Sequence, residues 1–576
     1  MIQIKKLFLT LSTLFLLVVL LPPSSTHAVS KTEATVANAE EAASTLYNLS
    51  YLPGKATGKN LPEKEYKAAN STYTTAQKEV KKLSKSKAKT KYNDRLKKVK
   101  TKIDTGKIYI TAVKAGKEID NKRLALEKAL KTGPYTESAH NAYLSLTATF
   151  DKQSSKVTKV KGFKTKEKMT AIYIQPVEDY KVQLKTVSTV KQAINETKNN
   201  MNASNAKILP HYKSVILYID TIPNAKQKNQ LKKEFAAIQK ELVKRELQKK
   251  DSLGDWIALQ SEYDTLDRLI SPGNSNAKAP EIHDSIMKEI KTLPSTEKNL
   301  LEQKLTTIMS DMFLSTKELK TLLTKKAIEK NIPPEVVKAI AKTENGKWRQ
   351  FTDDGNVFKS FDKGYGIMQI TPQSEEDKSY DWDKVMYDTE YNIQAGVEIL
   401  LKKWDYANAK KPILPKVNQY NTEMLENWYF PIMAYNGLSK RNHPAAKDPY
   451  QAKVYQLMND QAYVSPYVFT KNDVDIKIND NGILIFNVED ILSTPKQTCS
   501  TQLYKKGKSL TLEKDSTFRN EPSTTSSKKQ IFKKGTSFKI VESSIEDNNA
   551  ANLFNWYKIQ VTGSKTIWYV ASSNVQ

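Results

Sequence analysis

Between residues 30 and 310 apolar positions are sparse and recur at helical intervals among lysines, as at Val80 and Leu83, then Leu124, Leu126 and Leu130. Breaks fall at Pro53-Gly54, Gly133-Pro134 and Pro272-Gly273. Helices with so narrow an apolar stripe bury little surface, which predicts antiparallel bundles or a rod. Ile219-Asp220-Thr221-Ile222-Pro223 recurs as Ile290-Lys291-Thr292-Leu293-Pro294, followed by Leu231, Phe235 and Ile238 in one copy and Leu301, Leu305 and Ile308 in the other. Each copy reads as a helical hairpin, its proline opening the second helix where the missing N–H costs little. After residue 315 glycine, tryptophan and tyrosine become denser. Past residue 470 the period changes to two: Asp475–Ile478 and Ile483–Phe486 flank Asn481-Gly482 as a hairpin, and further short strands follow.

With 576 residues the chain exceeds what one core can organise, so several domains are expected. Lys5 and Lys6 precede an apolar run, Leu7–Leu21, too short to span a bilayer comfortably, and Thr26-His27-Ala28 offers a small-x-Ala cleavage site. That pattern predicts an export signal over 1–28 and a mature chain acting outside the cell. The single cysteine, Cys499, rules out an internal disulfide, and the five scattered histidines show no zinc-ligand spacing. No metal or cofactor is expected.

The net charge of +28 is concentrated early. Residues 1–315 hold 54 Lys and Arg against 32 Asp and Glu, whereas residues 316–470 hold 22 against 20. For an exported chain, nucleic acid is the least suitable partner. An anionic wall polymer suits the charge, as does a merely solvated helical surface.

The most informative stretch runs from Asn331 to Gly346. Pro334 suits a first helical turn and Gly346 an exit, and Val337, Ala341 and Glu344 share one face at i, i+4, i+7 spacing. Glu344 thus ends an apolar stripe at a helix C-terminus, where burial and the macrodipole both disfavour a carboxylate. A carboxyl kept protonated near neutral pH is what a general acid requires; a helix-end Glu that reaches water would do nothing. Next comes Lys363-Gly364-Tyr365-Gly366-Ile367-Met368-Gln369-Ile370-Thr371-Pro372, whose glycines permit close backbone approach and whose amide can bind hydroxyl or acetamido groups. Asn392-Ile393-Gln394-Ala395-Gly396 then opens a helix, and Ala434-Tyr435-Asn436-Gly437 closes another.

In this order the four motifs resemble the soluble, goose-lysozyme-like lytic transglycosylases, across roughly residues 316–460. The resemblance implies Glu344 as catalytic acid and base, Met368 and Gln369 lining a cleft, and Tyr435 and Asn436 orienting Glu344 or substrate. It also implies peptidoglycan as substrate and anhydro-muramoyl products. Asn345 stands where the family has Ser, yet can still hydrogen-bond. Hydrolysis would want a second carboxylate, for which Asp353, Asp354 and Asp362 are placed between the motifs. A third reading is a wall-binding surface protein without catalysis.

Residues around 120–190 resemble helical modules of surface-layer proteins of bacilli, which implies wall attachment. Residues 510–576, with Thr517–Ser523, Trp556-Tyr557 and Trp568-Tyr569-Val570, resemble bacterial Src-homology-3-like domains, which implies a small barrel binding stem peptides. Trp556, Tyr557 and Trp568 could line its groove or fill its core. The expected fold class is therefore multidomain and mainly α, with a small C-terminal β-barrel. Its expected parts are a signal (1–28), a basic helical region (29–200), hairpin repeats (201–312), a lysozyme-like domain (313–470), a hairpin linker (471–509) and the β module (510–576).

Overall fold

The computed structural model describes residues 26–247, 251–372 and 379–575. The apolar run of the expected signal lies outside them, and its cleavage motif falls in the first turn of α1. Among the described residues no helix is long and apolar enough to cross a membrane. The chain divides into two compact units, through Leu253 and from Gly254 onward.

The first unit is helical throughout: α1 (Thr26–Tyr51), α2 (Glu63–Lys82), α3 (Lys87–Leu130), α4 (Glu137–Thr158), α5 (Phe163–Tyr173), α6 (Gln175–Asn199), α7 (Asn205–Tyr218) and α8 (Ala225–Glu246). α3, capped at its start by Ser86, runs for 44 residues and serves two bundles. Its first half packs with α1 and α2 around Val36, Ala43, Leu46, Val80, Leu96 and Val99, and Arg95 ties it to Glu33 and Glu40 of α1. Its second half packs with α4 and α5. Two glycines let the neighbours in. A Cβ on Gly106 would meet Leu46 at 2.5 Å, and one on Gly116 would collide with the Tyr173 ring.

The boundary falls in the first turn of α9 (Ser252–Leu269), and the second unit continues with α10 (Ala279–Ile290) and α11 (Ser295–Ser310). The boundary between the units therefore separates the two hairpin copies, α7–α8 from α10–α11. In both copies the proline does lie just ahead of the second helix, and Leu231, Phe235, Leu301 and Leu305 are buried.

α12 (Thr316–Glu329), α13 (Pro334–Glu344), α14 (Trp382–Tyr387), α15 (Thr389–Asp405), α16 (Tyr429–Asn436) and α17 (Tyr450–Leu457) surround one large core. A capping box, Ser315 with Glu318, starts α12. The antiparallel hairpin β1 (Ile476–Ile478) and β2 (Leu484–Phe486) turns through Asn479–Gly482 as expected, but it is no linker in the physical sense. Leu484 and Phe486 are buried in the same core as Phe469, Val474 and Leu553.

The strands β3 (Ser509–Thr511), β4 (Ser516–Arg519), β5 (Lys529–Phe532), β6 (Ser537–Ile545), β7 (Trp556–Val561) and β8 (Ile567–Ala571) form one antiparallel sheet in the order β3-β6-β7-β8-β4-β5. It does not close, which corrects the barrel expected from sequence. β3 has only three residues, and β5 leaves Lys529, Gln530 and Ile531 in water, so the two edges never pair. Trp556, Tyr557 and Trp568 are all buried, Tyr557 and Trp568 in the module's core and Trp556 on the other face of β7 with Phe554 and Ala571, so they form no exposed groove.

Gly116→Val should overpack the α3–α5 contact and destabilise the first unit by about 1–3 kcal/mol. Urea unfolding followed by far-UV circular dichroism measures this, and an unshifted first-unit midpoint would contradict the contact.

Candidate active site

α13 is set firmly in the core before it reaches its last residue. Pro334 occupies the first turn, where its lost N–H is harmless, and every residue from Pro334 to Ala341 is buried. The helix ends at Glu344 because Asn345 leaves helical geometry (φ −138°, ψ 90°). The Asn345 side chain donates to the Arg349 carbonyl at 2.6 Å and holds the loop that follows; its own Oδ1 is buried without a partner.

Glu344 is half-buried, and its carboxyl is hemmed in by protein on most sides. Loss of water around it pushes its pKa up to about 7 from 4.5, opposed by the Tyr450 hydroxyl and by Arg441 and reinforced by Asp362. Tyr450 faces the carboxyl outside strict hydrogen-bond geometry, yet near enough to act on it. Tyr435 also feels the Glu344 charge; burial holds both phenols protonated.

The glycine-rich loop is pinned from three sides. Asn392, fully buried on α15, accepts from Met368 N at 2.9 Å and donates to the Tyr365 and Val385 carbonyls. Gln350 accepts from Ile367 N at 3.0 Å and donates to the Val385 and Met386 carbonyls. Tyr435 donates to the Met368 carbonyl at 2.8 Å. Gly366 (φ +75°) has no room for a Cβ beside those two amides, and a Cβ on Gly396 would sit 2.6 Å from that of Met368. The Met368 side chain is fully buried, whereas Gln369 (φ +49°) is half-buried with an unpartnered Oε1. Asn436 accepts from Asn442 at 3.1 Å, and Asn442 in turn accepts from the Tyr450 backbone at 3.2 Å. It therefore braces the segment that carries Tyr450.

Residues 321–457 match the family model described as Transglycosylase SLT domain. Over this segment the chain is similar to transglycosylase SLT domains. Residues 41–178 match a second model, the SbsC C-terminal domain. No curated protein and no solved structure matches the chain. An SLT domain supports a lysozyme-like, peptidoglycan-cleaving activity, with peptidoglycan as the substrate.

Within this SLT-like segment the expected second carboxylates separate. Asp362, exposed and accepting from Ser360 at 2.5 Å, lies within electrostatic reach of Glu344. Asp354 is taken up by its own turn, accepting from Thr352, Asn356 N and Asn356 Nδ2, and Asp353 pairs with Arg349 at 2.6 Å. Sequence reasoning passed over Tyr450, Arg441 and Gln350. None stands in a recognisable motif, and only folding brings them to the loop or the carboxyl.

The raised pKa carries a stability cost with a definite sign. The folded chain holds the Glu344 proton more tightly than the unfolded one does, so stability falls as pH rises from 4.5 to about 7. Glu344→Gln removes that cost and should stabilise the second unit by up to about 3 kcal/mol near pH 8, with little gain near pH 4. Thermal melts at the two pH values check it. Tyr450→Phe, which removes a group that lowers the pKa, should move the Glu344 titration upward.

Proposed function

We propose that the protein is an exported lytic transglycosylase that cuts peptidoglycan glycan strands, with Glu344 as its only acid and base. The observation that carries this reading is the enclosed carboxyl with a pKa of about 7, facing two protonated phenols in an SLT-like segment. At neutral pH a sizeable fraction is protonated and ready to act as an acid, while its conjugate base is strong enough to take the proton back.

Glu344 donates its proton to the oxygen between N-acetylmuramic acid and N-acetylglucosamine. The C1–O bond breaks and positive charge develops at C1. The resulting carboxylate removes the proton from the C6 hydroxyl of the same muramic acid, whose oxygen closes on C1 to give an anhydro ring. One bond breaks, one forms, Glu344 recovers its proton and no water is consumed. Intramolecular attack supplies the proximity that a second carboxylate would otherwise provide. Gln369, whose Oε1 is buried without a hydrogen-bond partner and whose Nε2 donates to the Gly366 carbonyl, would turn its amide outward to meet an acetamido N–H or a sugar hydroxyl. Asn345 and Asn436 hold the flanking segments.

A second reading, hydrolysis by a positioned water, draws on the nearness of Asp362 to Glu344. Incubation of purified walls separates the two. Glu344→Gln should release no glycan, Asp362→Asn should retain activity, and mass spectrometry should find muropeptides lighter by one water. Reducing ends, together with an inactive Asp362→Asn, would establish a hydrolase.

The basic first unit, with its SbsC-type segment, suits retention on an anionic wall polymer. Sedimentation of the full chain with intact walls should weaken as salt rises and should fail on walls stripped of their anionic polymer. Salt-insensitive binding would remove this part of the reading.

A further inference from the structure

The SLT family match stops at Leu457, yet the back of the catalytic helix is closed by residues from much later in the chain. Glu335, Lys338 and Lys342 recur at i, i+3, i+7 and share one face of α13. Glu344, nine residues beyond Glu335 at about 100° per residue, projects to the opposite face. All three back-face residues are met by the C-terminal region. Glu335 Oε1 accepts from Ser500 Oγ at 2.8 Å and Thr501 N at 3.2 Å. Lys338 Nζ donates to Gln502 Oε1 and Glu546 Oε1, both at 2.8 Å. Lys342 Nζ donates to the Ala550 carbonyl at 3.2 Å.

The preceding helix joins the same cluster. Lys320 of α12 donates to Asp547 Oδ1 at 2.7 Å and to Asn552 Oδ1 at 2.9 Å, with Glu546 at 3.7 Å, and Thr324 donates to Glu546 at 2.7 Å. Trp556 Nε1 and Asn552 Nδ2 satisfy the other Asp547 oxygen. Lys320, Glu335, Lys338 and Glu546 are at most 1% exposed. Burial pushes both the Glu335 carboxyl and the Lys338 ammonium toward their neutral forms, opposed at Lys338 by Glu546; in the geometry Lys320 pairs with Asp547 and Lys338 with Glu546. Ions this deep are costly unless each is paired and hydrogen-bonded, and removing one partner leaves the other stranded. So dense a set of paired groups fixes the helix rotation and depth more strictly than apolar packing alone would.

We propose that Ser500–Gln502 and Glu546–Asn552 form a back plate for the catalytic helix, and that Lys338 and Glu546 are positioning residues for Glu344. The working enzyme then extends beyond the SLT segment, and the C-terminal sheet is part of the catalytic unit. This inference rests on the role of Glu344 given above.

The test uses the full chain and soluble glycan, with kcat and KM measured across pH. In Glu546→Gln the Lys338 charge is stranded, water follows it, and α13 loosens. We expect kcat to fall on the order of tenfold, as a small displacement of a reacting group does, with KM little changed. The alkaline limb should move to lower pH, because Glu344 becomes better hydrated. Adding Lys338→Met, which restores charge balance, should recover both the rate and the limb. A loss of folded protein alone would lower kcat without moving the limb. A folded Glu546→Gln with wild-type kcat and limb overturns the proposal. Should that variant not fold, Gln502→Leu, which takes only one acceptor from Lys338, carries the test, and a wild-type limb there overturns the proposal equally. Activity of Glu344→Gln would instead overturn the underlying functional reading.

Discussion

A carboxyl group at the end of a buried helix sets the terms for everything around it. α13 is enclosed along eight consecutive residues, so its last side chain emerges where protein has displaced most of the water around it. Keeping Glu344 there is unfavourable to its charge, which is why its carboxyl holds a proton up to about pH 7. The neighbours share the work. Tyr450 and Arg441 restrain the rise in pKa, Asp362 adds to it, and Tyr435 faces the carboxyl while tying the glycine-rich loop through the Met368 carbonyl.

The loop opposite Glu344 is held by amides. Gln350 and Asn392 each use both ends of the side-chain amide to join three segments, and both are buried. Two glycines make that possible, Gly366 by leaving space beside the amides and Gly396 by letting α15 meet Met368. Packing and hydrogen bonds of this kind hold a loop in one geometry.

Two parts of the chain meet different physical demands. The first unit gains its order from long helices with narrow apolar stripes, and its surface remains strongly basic. The second concentrates aromatic residues, buried amides and buried ion pairs around one helix. Its hairpin and C-terminal sheet contribute to that same organisation, since Leu484, Phe486 and Leu553 share the core of the SLT segment.

Local pattern carried a good deal of this. The lysine-rich helical stripes, the breaks at Pro53-Gly54 and Gly133-Pro134, and the Asn481-Gly482 turn all follow from short-range periodicity and backbone preference. Glu344 was legible because a carboxylate on an apolar face at a helix end is a local contradiction. Asn392 reads as opening a helix that in fact starts three residues earlier at Thr389, capped by Asp388, and its grip on the loop was not legible, since that depends on which segments fold against it. Tyr450, Arg441 and Gln350 carry no mark in sequence, for the same reason. The sheet could not be judged closed or open from strand spacing, because closure depends on whether β3 and β5 meet. Charge made the same point most clearly. Lys320, Lys338 and Glu546 look like ordinary surface residues, more than two hundred positions apart at the extremes, and only tertiary packing takes them out of water together.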